Sequence, residues 1–331
     1  MKKILVTGGN GFIGSNIIIA INKNKYKIDV LDLVKQNPKL EQYVNKYYRG
    51  DLKNKKFVNK ILKKNYDIVI HCAAFIEVRE SVKEPIKYYE NNFLGTFNLL
   101  NSMIENKCNK IIFSSTAAVY GNPSKCPIKE NQKLLPINPY GFSKMMVEKL
   151  LMDLQKNNKM KYISLRYFNA CGSVKNFGER HDPETHLIPL IMQAASGRKK
   201  EIYLYGNNFK TKDGTCIRDY IHVRDIANAH VKSLDYLIKD GNSHVFNIGS
   251  GKGFSVNQVI KFSRKITRKK INVKVTNARK GDPKILTASS VRIKKILNWK
   301  PKYSDIKTII KSAWQWEKQL LKSHKYNKFK K

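Results

Sequence analysis

Apolar positions along the first 170 residues fall into two alternating rhythms. Short runs such as "KKILVTG", "KIDVLD" and "YDIVIHCAA" carry few charges and read as buried strands. Between them, "FIGSNIIIAINKN" and "YYENNFLGTFNLLNSMIENK" read as helices. The alternation continues with "NKIIFSSTAAVYG", a strand running into a loop. "YGFSKMMVEKLLMDLQKN" is a helix with apolar residues at Met145, Met146, Leu150, Leu151 and Leu154, and "YISLRYFNACG" is a further strand. This order predicts an α/β fold, a Rossmann-type doubly wound parallel sheet. After Gly172 the texture changes. "SVKNFGERHDPETH" is polar and loop-like, and short segments follow: "LIPLIMQAASG", "EIYLYG", "TCIRDYIHVRDIANAHVKSLDYL" and "VFNIGSG". The expected division is a Rossmann domain over residues 1–170 plus about 220–250, and a smaller mixed α/β lobe over 171–219 and 251–331. The lobe is expected on the carboxyl ends of the strands, where ligands of open α/β sheets bind.

Composition narrows the class. With 331 residues and 41% hydrophobic content, the chain can bury the cores of two lobes. No apolar run reaches membrane-spanning length, so no membrane partner is expected. The start "MKKILVTGG" breaks its apolar run at Gly8–Gly9, too early for a signal peptide; a cytoplasmic protein is expected. The cysteines, Cys72, Cys108, Cys126, Cys171 and Cys216, are odd in number and none pair at C-x-x-C spacing. The histidines form no H-E-x-x-H, so neither disulfide nor metal is expected. The net charge of +39 invites a nucleic-acid reading. But the lysines are scattered, arginine is sparse, and no zinc finger, RRM or bZIP pattern occurs. The favoured reading is compositional drift without a nucleic-acid partner, and "KSHKYNKFKK" is expected to be a solvated, frayed end.

"TGGNGFIGS" places Gly8, Gly11 and Gly14 between a predicted strand and a predicted helix. In that context glycines allow a tight turn and close backbone approach to a pyrophosphate at the helix N-terminus. The second strand ends at Asp32, 18 residues past Gly14. A carboxylate there accepts from ribose hydroxyls and repels a 2′-phosphate, which favours NAD over NADP. Asp51, after a third strand-like stretch, either meets the adenine amino group or caps a helix. A second glycine cluster, "GSGKGFS" from Gly249, lacks Walker spacing and reads as a turn between lobes.

Tyr140 and Lys144 lie four apart, on one face if their segment is helical. An ammonium near a phenol favours the phenolate, so Lys144 is expected to lower the Tyr140 pKa, with a positive nicotinamide ring adding to the shift. Such a tyrosine can act as general base on an alcohol, and the Thr116 hydroxyl could bind the same oxygen.

"TGGNGFIGS", "HCAAFIEVRESVKEP", "YYENNFLGT", "FSSTAAVYG", "NPYGFSK", "LRYFNACG", "DGTCIRDYIHVRD", "FNIGSG" and "RKGDP" occur in that order over nearly the whole chain. Together they resemble the extended short-chain dehydrogenase/reductase superfamily and, more closely, its UDP-glucose 4-epimerases. The resemblance implies C4 epimerisation of UDP-hexoses through a 4-keto sugar, on tightly bound NAD, in a homodimer. It implies Tyr140, Thr116 and Lys144 as catalytic residues. Besides the glycines, Asp32 and Asp51, it implies cofactor contacts at Phe12, Ile13, Leu52, Ala73 and Ala74. Asn91, Ser114 and Tyr167 would complete that set. For the UDP-sugar it implies Asn169 at the diphosphate, His186 and Leu187 near the uridine, and Tyr205 beside the uracil. Arg218 and Arg279 would clamp phosphates, and Asp282 would bind the uridine ribose.

The chain departs from the family pattern in places. Ile76 stands where relatives often carry a lysine, removing one cofactor-phosphate contact. Thr116 replaces a common serine and keeps the hydroxyl. Leu286 occupies the position that gates sugar size; it lies between the bulky tyrosine that excludes N-acetyl sugars and the small residue that admits them, so both remain open. Ala117–Ala118 count against nucleotide-sugar dehydratases, which place Asp–Glu there for water elimination, and against decarboxylases, which carry glutamate. An NAD(P) reductase, or a binding protein on a retained dinucleotide fold, are the other readings.

Overall fold

A computed structural model describes residues 1–279 and 282–328. Seven strands form the main sheet: β1 (Lys2–Thr7), β2 (Tyr26–Asp32), β3 (Lys46–Arg49), β4 (Ile68–His71), β5 (Lys110–Thr116), β6 (Lys161–Tyr167) and β7 (His244–Ile248). Their order is β7-β6-β5-β4-β1-β2-β3, and every neighbouring pair is parallel. The order reverses between β1 and β4, and such a switch point leaves a crevice at the strand ends. The helices that matter below are α1 (Phe12–Ala20), α2 (Lys55–Leu62), α3 (Gly95–Glu105) and α4 (Pro139–Lys156) in the first half. In the second half they are α5 (Leu187–Ala195), α6 (Val223–Ile238), α7 (Val256–Thr267) and α8 (Ile306–Lys328).

Period-two alternation sorts the strands' side chains to two faces. Ile4 and Val6 of β1 join one core with Ile17 and Ile18 of α1 and Ile226 and Leu234 of α6. Leu5, between them, joins the opposite core with Val58 of α2, Leu99 of α3 and Val147 of α4. Both faces are therefore covered, which is why these strands read as nearly continuous apolar runs. A third core, built on Ile191, Val259 and Ile309, holds α5, α7 and α8 together. The strand Ile202–Tyr205 pairs with Val273–Thr276, while Ile217–His222 pairs with Asn169–Cys171, Gly253–Ser255 and Ile285–Leu286.

Three elements differ from expectation. "YISLRYFNACG" is two strands: Phe168 N–H donates to Ile248 O at 3.1 Å, and the chain then leaves the main sheet to pair Asn169 with Tyr220. The helix expected from Tyr88 begins earlier, at Pro85, and passes through a π turn over Tyr89–Leu94. Its Asn92 side chain pairs with both backbone groups of Phe75, at 2.8 and 2.9 Å, so the widened turn is tied to the segment after β4. The tail expected to fray continues α8 to Lys328, and residues 329–331 lie outside the described residues.

Candidate active site

The glycine turn forms the floor of a cleft at the switch point. Gly8 has φ +68°, and a Cβ there would lie 2.5 Å from Ala73 N; one on Gly14 would lie 2.2 Å from Gly8 O. Only glycine fits these close approaches. Gly11 caps α1 with backbone alone, so the amides of Phe12, Ile13 and Gly14, in the first turn, lack intrahelical acceptors and suit an anion. The cleft has a volume of about 290 Å³, and its lining includes Gly8, Gly11, Asp32, Asp51, Leu52, Ala73, Ala74 and Asn91. Asp32 accepts the amides of Asn10 at 2.9 Å and Val34 at 3.3 Å, which aims its carboxylate and leaves lone pairs for a ribose. Burial raises its pKa, and those amides act against the rise. Of the two roles considered for Asp51, capping falls to Asn54, whose side chain accepts Phe57 N–H. These residues fit a dinucleotide without a 2′-phosphate. Ile76 stands exposed where the family pattern has a lysine.

Asn138 caps α4 by accepting Gly141 N–H at 2.8 Å, and Pro139 occupies the first turn. This fixes Tyr140 and Lys144 one turn apart beside the end of β5. The Tyr140 phenol faces Thr116, which favours its ionised form, and the Thr116 oxygen accepts Ala118 N–H at 3.1 Å. Lys144 is buried; its Nζ donates to Ser114 O at 2.8 Å and lies 4.8 Å from the Phe113 ring centre. Burial pulls its pKa down to about 8. The expected lowering of the Tyr140 pKa is not found in the chain itself. The phenol sits above its ordinary value, first because of burial and further because of Glu77, while Thr116 alone pulls it down. The ammonium is directed at the Ser114 carbonyl. Tyr167 bonds Ser114 Oγ at 2.9 Å and His230 Nε2 at 2.7 Å, so Ser114 and Tyr167 brace this end of the sheet.

The second lobe supplies the facing groups. Tyr205 ends its strand with two guanidinium groups on its ring, Arg279 at 3.9 Å and Arg79 at 4.6 Å. These cations, Arg79 first, hold its phenol below the usual pKa. Arg218 pairs with Asp282, so the guanidinium expected at a phosphate and the carboxylate expected at the uridine ribose hold each other in the chain itself. Lys280 and Gly281, within "RKGDP", lie outside the described residues. Leu286 pairs in register with Arg218 and packs on the small cluster of Ala117 and Phe168 beside Thr116. Asn169 starts the strand opposite Tyr220. His186 caps α5, with Nδ1 2.8 Å from Glu179, and Leu187 begins that helix.

Two residues here had no role assigned from sequence. Glu77 accepts Thr185 Oγ1–H at 2.6 Å and also acts on Tyr140, so it joins the base to the 179–186 loop. Arg79 joins the segment after β4 to Tyr205. The available signal was a carboxylate and a guanidinium inside the otherwise apolar "AFIEVR". The second glycine cluster also has a physical reason. The amides of Ser250 and Gly251, the Ser250 hydroxyl and Ala288 N–H all donate to buried Asp219, at 2.6–3.0 Å. That loop encloses the chain's own carboxylate.

A switch-point glycine turn, a carboxylate at the second strand's end and a Tyr–Thr pair over a buried lysine define a dinucleotide-dependent enzyme of the short-chain dehydrogenase/reductase type. The chain belongs to the NAD dependent epimerase/dehydratase family, whose model matches residues 4–249. It is 44% identical over 319 residues to the UDP-glucose 4-epimerase of Halalkalibacterium halodurans, covering 96% of both chains. Its fold matches the UDP-glucose 4-epimerase of Brucella ovis, solved with NAD, with TM-score 0.90 and 38% identity over 96% of this chain and 99% of that one. It also matches the UDP-Glc/GlcNAc 4-epimerase of Campylobacter jejuni, with TM-score 0.84 and 40% identity over 96% and 100% of the two chains.

Proposed function

We propose that the protein interconverts UDP-galactose and UDP-glucose by NAD-dependent epimerisation at C4. The carrying observation is the Tyr140–Thr116 pairing beside buried Lys144, whose Nζ is fixed on Ser114 O, at the mouth of the cleft. Bound NAD supplies the acceptor, and then the donor, of the C4 hydride. Beside the positive nicotinamide ring and Lys144 the Tyr140 phenol would ionise, and the phenolate takes the proton from the 4-hydroxyl, with Thr116 holding the same oxygen. After its bond to Ser114, Lys144 has two N–H groups left for the nicotinamide ribose. The 4-keto sugar turns about its diphosphate, and Tyr140 returns the proton once the other face is presented. The cofactor ends as it began, so tight retention costs no turnover. Arg79, Tyr205, Arg279 and the Arg218–Asp282 pair form the UDP side, with Asn169, His186 and Leu187.

The homodimer belongs to the same reading, supported by exposed apolar Leu94, Phe97 and Met152 at α3 and α4. A cytoplasmic location is supported by five free cysteines. The two-part division belongs to the same reading, with 1–170 and about 220–250 carrying the cofactor, and is supported by β7 lying in the main sheet beside β6. A second reading, turnover of N-acetylated UDP-sugars as well, rests on Leu286 beside Arg218 and on the likeness to the Campylobacter jejuni enzyme.

The test is incubation of purified protein, without added cofactor, with UDP-galactose and separately with UDP-N-acetylgalactosamine, resolving products by anion exchange. C4 epimer from UDP-galactose supports the main reading, and epimer from both supports the second. Epimer only on adding NAD removes the tight-retention step, and none even then removes the assignment.

A further inference from the structure

We propose that Glu179, His181, Glu184 and His186 bind one divalent transition-metal ion of the zinc type, which clips the 179–186 loop in place. Their donor atoms all lie within 4.8 Å of one another. His186 Nδ1 is 2.8 Å from Glu179 Oε1 and 3.2 Å from Glu184 Oε1; His181 Nδ1 is 3.3 and 3.9 Å from the same two oxygens. A tetrahedral ion with bonds of about 2.0–2.2 Å needs donors roughly 3.3–3.6 Å apart, so little movement closes the site.

A second observation points into the cluster. Glu179 is only 7% exposed, and its Oε2 is buried without a hydrogen-bond partner. His181 Nδ1 is likewise buried and unpartnered: it is near a carboxylate but not in bonding geometry. Buried polar atoms are rarely left so, and a cation among the four groups would satisfy both. Two imidazoles and two carboxylates carry two negative charges, which a dication neutralises. The mixed nitrogen and oxygen set suits zinc or cobalt better than calcium or magnesium, which take oxygen.

The surroundings pre-position the ligands. Glu184 Oε1 accepts the amides of Thr185 and His186, each at 2.9 Å. The Glu179 carbonyl accepts Trp316 Nε1–H from α8 at 2.8 Å. His186 caps α5, and Thr185 holds Glu77. Four protein ligands make a closed, structural centre that stands outside the proton transfer. Its spacing, E-x-H-x-x-E-x-H, contains neither a cysteine pair nor H-E-x-x-H, which is why no metal was expected from the motifs.

The experiment titrates chelator-stripped, dialysed full-length protein with Co²⁺. Expected is the intense visible absorption of four-coordinate cobalt, saturating at one equivalent and bleached by Zn²⁺, with Tm rising as Zn²⁺ is added. His181→Gln and Glu179→Gln should each abolish the band and weaken Zn²⁺ at least about 100-fold, since outer-sphere partners alone shift metal affinity by 10–100-fold. No band, a pale six-coordinate spectrum, or binding unchanged in both variants overturns the site. Should one variant fail to fold, the other and the unmodified protein decide it.

Discussion

A lysine with 3% of its surface exposed and no carboxylate on its ammonium works against the fold. Lys144 is such a residue, and its pKa of about 8 against an ordinary 10.5 measures the cost, about 3 kcal/mol at 1.36 kcal/mol per unit. The unfolded chain binds the proton more tightly, so the penalty is complete below about pH 8. It is relieved between there and pH 10.5, where the unfolded state still holds the proton and stability rises with pH. Lys144→Met should therefore be more stable than the natural protein at pH 7, by roughly 1–3 kcal/mol after losing the bond to Ser114. That gain should shrink as pH approaches 10.5. The same variant should lose kcat by at least about 10²-fold, as should Tyr140→Phe, which leaves stability nearly unchanged. Denaturant melts at pH 7 and 10, set beside turnover, check this. A Lys144→Met protein less stable at pH 7 would show that the lysine is held for the fold.

Among the elements, the glycine-rich turn after β7 shows how a loop resembling a ligand site can be structural. Its donors and Ala288 N–H converge on Asp219, which lies on the strand carrying Arg218. Asp219→Ala would remove the acceptor of three amides, that of buried Ala288 among them, so a loss of about 2–4 kcal/mol is expected in a urea melt. Turnover in the fraction still folded should fall less than in Tyr140→Phe. The contrast with the turn after β1 explains what could be read in advance. That turn, Asp32, Thr116, Tyr140 and Lys144 each depend on local spacing, and local spacing is visible in a sequence. The bond from Thr185 to Glu77 joins positions 108 apart, and Arg218 meets Asp282 across 64. Neither periodicity nor a short motif encodes such meetings. Spacing also put Lys144 and Tyr140 on one face without revealing that the ammonium turns to Ser114, or that burial outweighs Thr116 in setting the phenol's shift in the chain itself.

At the scale of the whole molecule, 64 basic residues against 25 acidic ones make self-repulsion and substrate attraction two effects of one field. The substrate of the proposed reaction is an anion carried on a diphosphate, and Arg79 and Arg279 stand on Tyr205, at the side proposed for UDP. Salt shortens the reach of this field from about 10 Å at 0.1 M to about 3 Å at 1 M. Two responses of opposite sign follow. Raising NaCl from 0.02 to about 0.5 M should lower kcat/KM for the UDP-sugar by up to about tenfold through KM, with kcat nearly constant, because proton transfer occurs within the enclosed site. Over the same range Tm should rise, as screening relieves repulsion among scattered lysines. Steady-state kinetics and melting curves on one preparation test both. If Tm rises while kcat/KM stays level, the charge is compositional and capture depends on the arginines alone. If kcat itself falls with salt, the field reaches the reacting groups, and the enclosure of Tyr140 and Lys144 inferred from their burial is incomplete.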